Sequence, residues 1–259
     1  MRAKKIGVLL MAYGSPSSLN EVEAYLTDIK GGKKPAKDLV EDVKERYRKI
    51  GGTSPLLAIC QKQAKALQAK LNRYGKRFKV YLGMKHWYPS IEEAISQMVE
   101  DGVKIAVGLV LAPHYSQLSV GGYFQKVLAA QKRLGTNIKF QLIKSWYDSP
   151  KFLTAVAAKI EKTTKDLPKD AKKVAVIFTA HSLPARILDS GDPYQEQLLD
   201  CCQRLAKLIK VRNWYFAYQS VSKTSEPWLG PDIFKVISNL SKNGMTHVVA
   251  VPIGFVSDH

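Results

Sequence analysis

The chain has 259 residues, 46% of them hydrophobic and 24% charged, an ordinary globular make-up for one large or two ordinary domains. No apolar run reaches the roughly 18 residues of a membrane-spanning helix, and three cysteines, two of them adjacent, make neither a disulfide framework nor a Cys-x-x-Cys zinc site. The formal net charge of +18 would suit nucleic acid, a membrane surface or an acidic ligand, but the lysines are dispersed over helical stretches such as "KQAKALQAK", with no nucleic-acid recognition motif beside them.

In chain order, "MRAKKIGVLLMAYGSP" places basic residues before an apolar run, as a signal peptide does. The run is short, contains Gly and lacks a small-residue cleavage site, so it reads as a first strand of a cytoplasmic protein. "SPLLAICQKQAKALQAKLNRYG" predicts a helix, with Pro55 early and Gly75 at its end. "FKVYLGMKHW" is a second strand. "SIEEAISQMVEDG" predicts a helix capped by Ser90 and stopped by Gly102. "KIAVGLVLAPHYS", "NIKFQLIKSW", "KKVAVIFTAHS", "WYFAYQSVS" and "HVVAVPIGF" bring the strands to seven. Cys60, Cys201 and Cys202 fall in helical stretches as plain helix residues. Strands alternating with helices predict an α/β fold of parallel sheets flanked by helices. Four strands lie before about residue 147 and three after it, so the expected domains are residues 1–147 and 148–259. The last strand has no helix behind it, although a parallel sheet needs both faces covered. The second domain is therefore expected to be incomplete.

Open parallel sheets bind ligands beyond the carboxyl ends of their strands. The residues there are Tyr13-Gly14-Ser15-Pro16, Lys85-His86-Trp87, Pro113-His114-Tyr115-Ser116, His181-Ser182-Leu183-Pro184, Gln219-Ser220 and Asp258-His259. Tyr13, Trp87, Tyr115 and Trp214 add aromatic surface. Such a set suits a flat aromatic ligand and a metal ion. His247 precedes its strand and reads as structural. His114 and His86 could each simply bond a loop. His181, between a buried strand and a Ser-Leu-Pro turn in which Ser182 could cap "PARILDS", is the functional candidate. A P-loop, a G-x-G-x-x-G turn and a G-x-S-x-G elbow are all absent, which disfavours nucleotide and α/β-hydrolase chemistry.

Nine segments, in order, carry a resemblance. They are "LLMAYGSP" (9–16), "RYRKIGGTSPL" (46–56), "GMKH" (83–86), "LAPHYS" (111–116), "SWYDSPKF" (145–152), "TAHSLP" (179–184), "GDPY" (191–194), "YQSVSKTSEPWLGPD" (218–232) and "VPIGFVSDH" (251–259). With them the chain resembles the ferrochelatases, which insert iron into a porphyrin. The resemblance implies two Rossmann-like domains with a porphyrin cleft between them, in a chelatase-like fold. It implies that His181 is a ligand of Fe²⁺ and the catalytic base. The tyrosine of "MAYG" is similar to the Gram-positive type, which uses coproporphyrin III, and implies Tyr13 as an axial ligand of the product haem iron. Lys30, Arg46, Tyr47, Ser54 and Tyr123 would contact the porphyrin or its carboxylates. Close relatives usually have Arg at position 30; Lys keeps the charge and loses the bidentate fork. The family's catalytic glutamate, in F-V-x-D-H-L-E, would follow two residues after His259. The chain is thus expected to be a C-terminally truncated ferrochelatase, which could be inactive without that glutamate, or else a partial sequence.

Insertion removes two pyrrole protons and admits a divalent ion to four nitrogens. A neutral imidazole can take a proton or hold Fe²⁺ near neutral pH. The four propionates of coproporphyrin III could pair with Arg46, Lys30, Lys85 and the helix start near Ser54. The expected protein is a cytoplasmic monomer, with porphyrin and Fe²⁺ as substrates. It needs no cofactor, no iron–sulfur cluster and no nucleic-acid partner. The alternatives are a protoporphyrin IX ferrochelatase, a cobalt chelatase, or a non-catalytic porphyrin- or haem-binding fragment.

Overall fold

The computed structural model describes residues 5–75, 77–165, 167, 173–222 and 224–259. It divides into two units, each built on a parallel sheet. The first comprises Met1–Leu111, Gly121–Ile143 and Ser257–His259; the second comprises Ala112–Val120 and Lys144–Val256. The division is not a single cut near residue 147. The segment after the third strand belongs to the second unit, and the helix after that segment returns to the first.

In the first unit the strands are β1 (Ile6–Ala12), β2 (Phe78–Met84), β3 (Ile105–Val110) and β4 (Lys139–Ile143), in the order β2-β1-β3-β4. The helices are α1 (Val22–Ile29), α2 (Lys37–Lys49), α3 (Leu56–Leu71), α4 (Ile91–Glu100) and α5 (Val120–Arg133). β1 is an unbroken apolar run because it is paired on both edges and covered on both faces; Leu9, Leu10 and Met11 are at most 2% exposed. Helix α4 starts where Ser90 and Glu93 form a reciprocal capping box.

The second unit repeats the design with β5 (Val174–His181), β6 (Trp214–Gln219) and β7 (His247–Pro252) in the order β6-β5-β7. Its helices are α6 (Pro150–Thr164), α7 (Tyr194–Leu208) and α8 (Ile233–Lys242). β5 is the buried middle strand, and Phe178 on it lies in a core with Leu198, Cys202 and Leu205 of α7. In both sheets the chain leaves the middle strand for one side and later returns on the other. The strand order therefore reverses at β1 and at β5, the position where such sheets present their ligand sites. The residues just after β1 and at the end of β5 are Tyr13 and His181. Among the described residues no helix is long and apolar enough to cross a membrane.

Candidate active site

In the first unit the ladder between β1 and β2 continues past both strands. Lys85 N–H donates to the Ala12 carbonyl at 2.8 Å and His86 N–H to that of Tyr13 at 2.9 Å. This brings the two side chains together, with ring centroids 4.8 Å apart. The approach requires glycine next door. Gly14 has φ +98°, and a Cβ there would lie 2.9 Å from the His86 carbonyl oxygen. The Gly14 carbonyl accepts the Tyr25 hydroxyl at 3.0 Å and the His259 Nε2–H at 3.1 Å. The His86 Nδ1–H donates to Asp28 Oδ2 at 2.8 Å. Burial pulls the His86 imidazole below its ordinary pKa, against the Asp28 carboxylate, which raises it. Burial and then Asp28 raise the Tyr13 phenol, and burial above all takes Tyr47 up to about 12. The result is an aromatic patch of neutral phenols and imidazole beside a carboxylate.

The cationic candidates of this unit differ in how free they are. The Lys85 Nζ sits 5.1 Å above the Tyr123 ring, and Tyr123 itself is buried. Burial and then the charge of Lys126 pull the Lys85 ammonium below its ordinary pKa. Arg46 lies on exposed α2 and is bonded to Asp42 one turn earlier. Lys30 ends α1 and is exposed. Tyr47 is buried against Tyr25 and Leu26. The Ser54 hydroxyl accepts the Leu56 N–H at 3.2 Å and so dresses the start of α3.

In the second unit His181 is the last residue of β5, and it is exposed. Its Nδ1 lies 2.5 Å from the Ser182 carbonyl oxygen. A carbonyl only accepts, so Nδ1 carries a proton, and in the neutral ring the lone pair is on Nε2. The His181 carbonyl in turn accepts the Tyr194 hydroxyl at 3.0 Å. Three sequence expectations are corrected or settled here. Ser182 does not cap "PARILDS", because its hydroxyl donates to the buried Leu229 carbonyl at 2.8 Å and pins the loop there; Pro184 precedes the short 3-10 turn instead. Trp214 is no part of a strand-end aromatic surface. It starts β6, paired with Val176, and packs on Phe178 at 5.9 Å. His114 is 2% exposed, stacked on Tyr147 with centroids 5.5 Å apart, and neither ring nitrogen has a hydrogen-bond partner among the described residues. Burial pushes its pKa down to about 3.

The middle strand of the second unit thus ends on an exposed imidazole, and that of the first on an aromatic patch with cations beside it. The ferrochelatase family model matches residues 5–259. The chain belongs to the ferrochelatase family. The ferrochelatase of Herpetosiphon aurantiacus is 42% identical over 257 residues, covering 98% of this chain and 84% of that protein. The coproporphyrin III ferrochelatase of Halalkalibacterium halodurans is 44% identical over 262 residues, covering 100% of this chain and 84% of its own. That of Geobacillus kaustophilus is 43% identical, with 100% and 83% covered. Among solved structures, the sirohydrochlorin chelatase of Bacillus subtilis subspecies spizizenii in complex with cobalt aligns with a TM-score of 0.48 at 10% identity, over 96% of this chain and 89% of that one. As a ferrochelatase the protein is a metal chelatase, an enzyme that places Fe²⁺ in a porphyrin in haem synthesis.

Seven of the residues singled out in the sequence lie in the first unit of this ferrochelatase: Tyr13, Lys30, Arg46, Tyr47, Ser54, Lys85 and Tyr123. His181 lies in the second. Sequence reasoning missed Asp28, which holds His86, and Lys126, which faces Lys85. Both come from helix positions with no motif around them. The only available signal was helical spacing, which puts Lys126 one turn after Tyr123 on α5.

Proposed function

We propose that this ferrochelatase takes coproporphyrin III and Fe²⁺ and returns coprohaem, acting as a cytoplasmic monomer without a resident cofactor. The observation that carries the choice of porphyrin is Tyr13, held at the carboxyl end of the middle strand β1 against His86. The matches to coproporphyrin III ferrochelatases support the same choice. In this reading the macrocycle lies against the aromatic patch, and Lys85, Lys30 and Arg46 meet its carboxylates. Tyr47, Ser54 and Tyr123 complete the contact. His181 accepts a pyrrole proton at Nε2, with its tautomer held by the Ser182 carbonyl. Before it takes that proton, the same Nε2 lone pair would hold the incoming Fe²⁺, so the two roles follow one another. Tyr13, at the carboxyl end of β1, would hold the product iron through its phenol oxygen and give up the phenol proton as it does so; without iron, burial keeps that proton on.

The thiols stand outside this chemistry. Cys60, Cys201 and Cys202 are fully buried, and burial raises each pKa, so none is a ready thiolate for a cluster.

The test is anaerobic Fe²⁺ insertion, followed by loss of porphyrin fluorescence, on coproporphyrin III and protoporphyrin IX in parallel. Faster turnover on coproporphyrin III is expected. Faster turnover on protoporphyrin IX overturns the porphyrin assignment, and tight binding without insertion makes the chain a porphyrin carrier. In Tyr13→Phe the product haem spectrum should change; an unchanged spectrum removes Tyr13 as ligand.

A further inference from the structure

A cavity of about 330 Å³ opens beside the aromatic patch, wholly within the first unit. Its charged lining is Lys85, Lys126, Arg133, Asp28 and Glu92. One of the three cations and both carboxylates already have partners. Glu92 is taken by Arg133, and Asp28 by His86. Lys85 and Lys126 have no carboxylate partner among the described residues. Lys85 is half-buried and held from behind, with Nζ over the Tyr123 ring and pressed on Gly122, where a Cβ would lie 2.6 Å from Nζ. Lys126 follows on the same helix and is also half-buried, near enough for its charge to bear on Lys85. Two like charges on half-buried side chains repel each other and are screened less than they would be in free solution. An anion between them relieves both terms at once.

We propose that this cavity is a carboxylate subsite, in which Lys126 together with Lys85 receives a propionate of the porphyrin that protoporphyrin IX lacks. The proposal rests on the porphyrin reading above. The cavity adjoins the aromatic patch through Asp28 and Lys85, each of which touches a residue of the patch. Coproporphyrin III carries four propionates and protoporphyrin IX two, with vinyl groups in the other places. A vinyl group set between two ammonium ions would strip them of water and return nothing. Lys126 thus acts as a specificity residue, through binding and not through the metal step.

The experiment is a fluorescence titration of metal-free coproporphyrin III and protoporphyrin IX into the wild-type chain, Lys126→Met and Lys126→Glu, with KM and kcat measured alongside. Lys126→Met should weaken coproporphyrin III binding about tenfold, the loss of one partly desolvated charge-assisted bond, and Lys126→Glu should weaken it further. KM should follow Kd, kcat should hold, and protoporphyrin IX binding should move less than about twofold. High salt should narrow the gap between the two porphyrins in wild type. Equal losses on both porphyrins, no loss on either, or a fall in kcat alone would overturn the subsite. Wild type that binds neither porphyrin would overturn the porphyrin reading itself, which separates the two failures.

Discussion

The first unit sets His86 beside Tyr13 where the ladder between β1 and β2 runs on past the strands; the second sets His181 at the very end of β5. Each imidazole has its Nδ1 proton engaged, but by different acceptors. His86 gives it to the Asp28 carboxylate and is buried, whereas His181 gives it to the carbonyl of the next residue and is exposed. A carboxylate brings charge, and it offsets part of what burial does to His86. A carbonyl brings geometry alone: it selects the tautomer and leaves Nε2 bare in an exposed position. The same residue type at matching strand ends is a packed element in one sheet and an exposed one in the other.

Four experiments would break or sharpen that contrast. The largest effect is expected from His181→Ala, which should lower insertion turnover by about 10²- to 10⁴-fold, the range for loss of a general base, with metal-free porphyrin binding retained. Undiminished turnover would leave the exposed imidazole without a role. The next concerns His114, the buried histidine of the second unit. Its folded pKa of about 3 lies below the ordinary value of 6.5. Between those values the unfolded chain binds the proton and the folded one does not. Stability is therefore intact above the ordinary value and falls by about 1.4 kcal/mol for each pH unit below it, until the folded pKa is reached. His114→Phe, which keeps a ring on Tyr147, should flatten urea-measured stability over that window. An unchanged pH slope would mean that another group carries the acid sensitivity.

Gly14→Ala comes third. The left-handed backbone and the His86 carbonyl at 2.9 Å predict a loss of about 1–3 kcal/mol in chemical denaturation. It also predicts a changed environment for Tyr13, visible as altered porphyrin affinity. The smallest effect belongs to Asp101, at the opposite end of the first sheet. Bonds from Lys79 and then Tyr81 hold its carboxyl at about 2, below the ordinary 3.8. Its contribution is present above the ordinary value and lost as pH falls toward 2. Asp101→Asn should cost less than about 1 kcal/mol at neutral pH, because the Lys79 side of the pair is exposed, and should remove that acid slope. A large loss at neutral pH would show that the contact is more than a surface pair.

Much of the architecture was legible. Buried middle strands such as 6–12 and 174–181 read as continuous apolar runs because both faces are covered. The helix 91–100 announced itself by Ser90 and Glu93. The place of His181 was legible because a histidine that closes an apolar strand must emerge at the carboxyl end of a sheet. Ser182 and Trp214 were misread for a common reason. Local spacing offered Ser182 a helix to cap and Trp214 a patch to join. The carbonyl of Leu229, 47 residues away, captured the hydroxyl, and parallel pairing with β5 turned Trp214 to the other end of the sheet.

The order of strands and helices, the strand ends that carry histidines and the likeness to ferrochelatases were all determined by the sequence alone, since each depends on near neighbours in the chain or on short runs of residues. Which imidazole is buried, which proton it holds, and that Lys85 and Lys126 share a cavity were decided only by the tertiary structure. Asp28 meets His86 across 58 residues. Lys126 reaches Lys85 from a separate helix that returns to the first unit after an excursion into the second. Pairings of that kind depend on how the elements pack, and packing depends on the whole set of buried surfaces, which no local pattern contains.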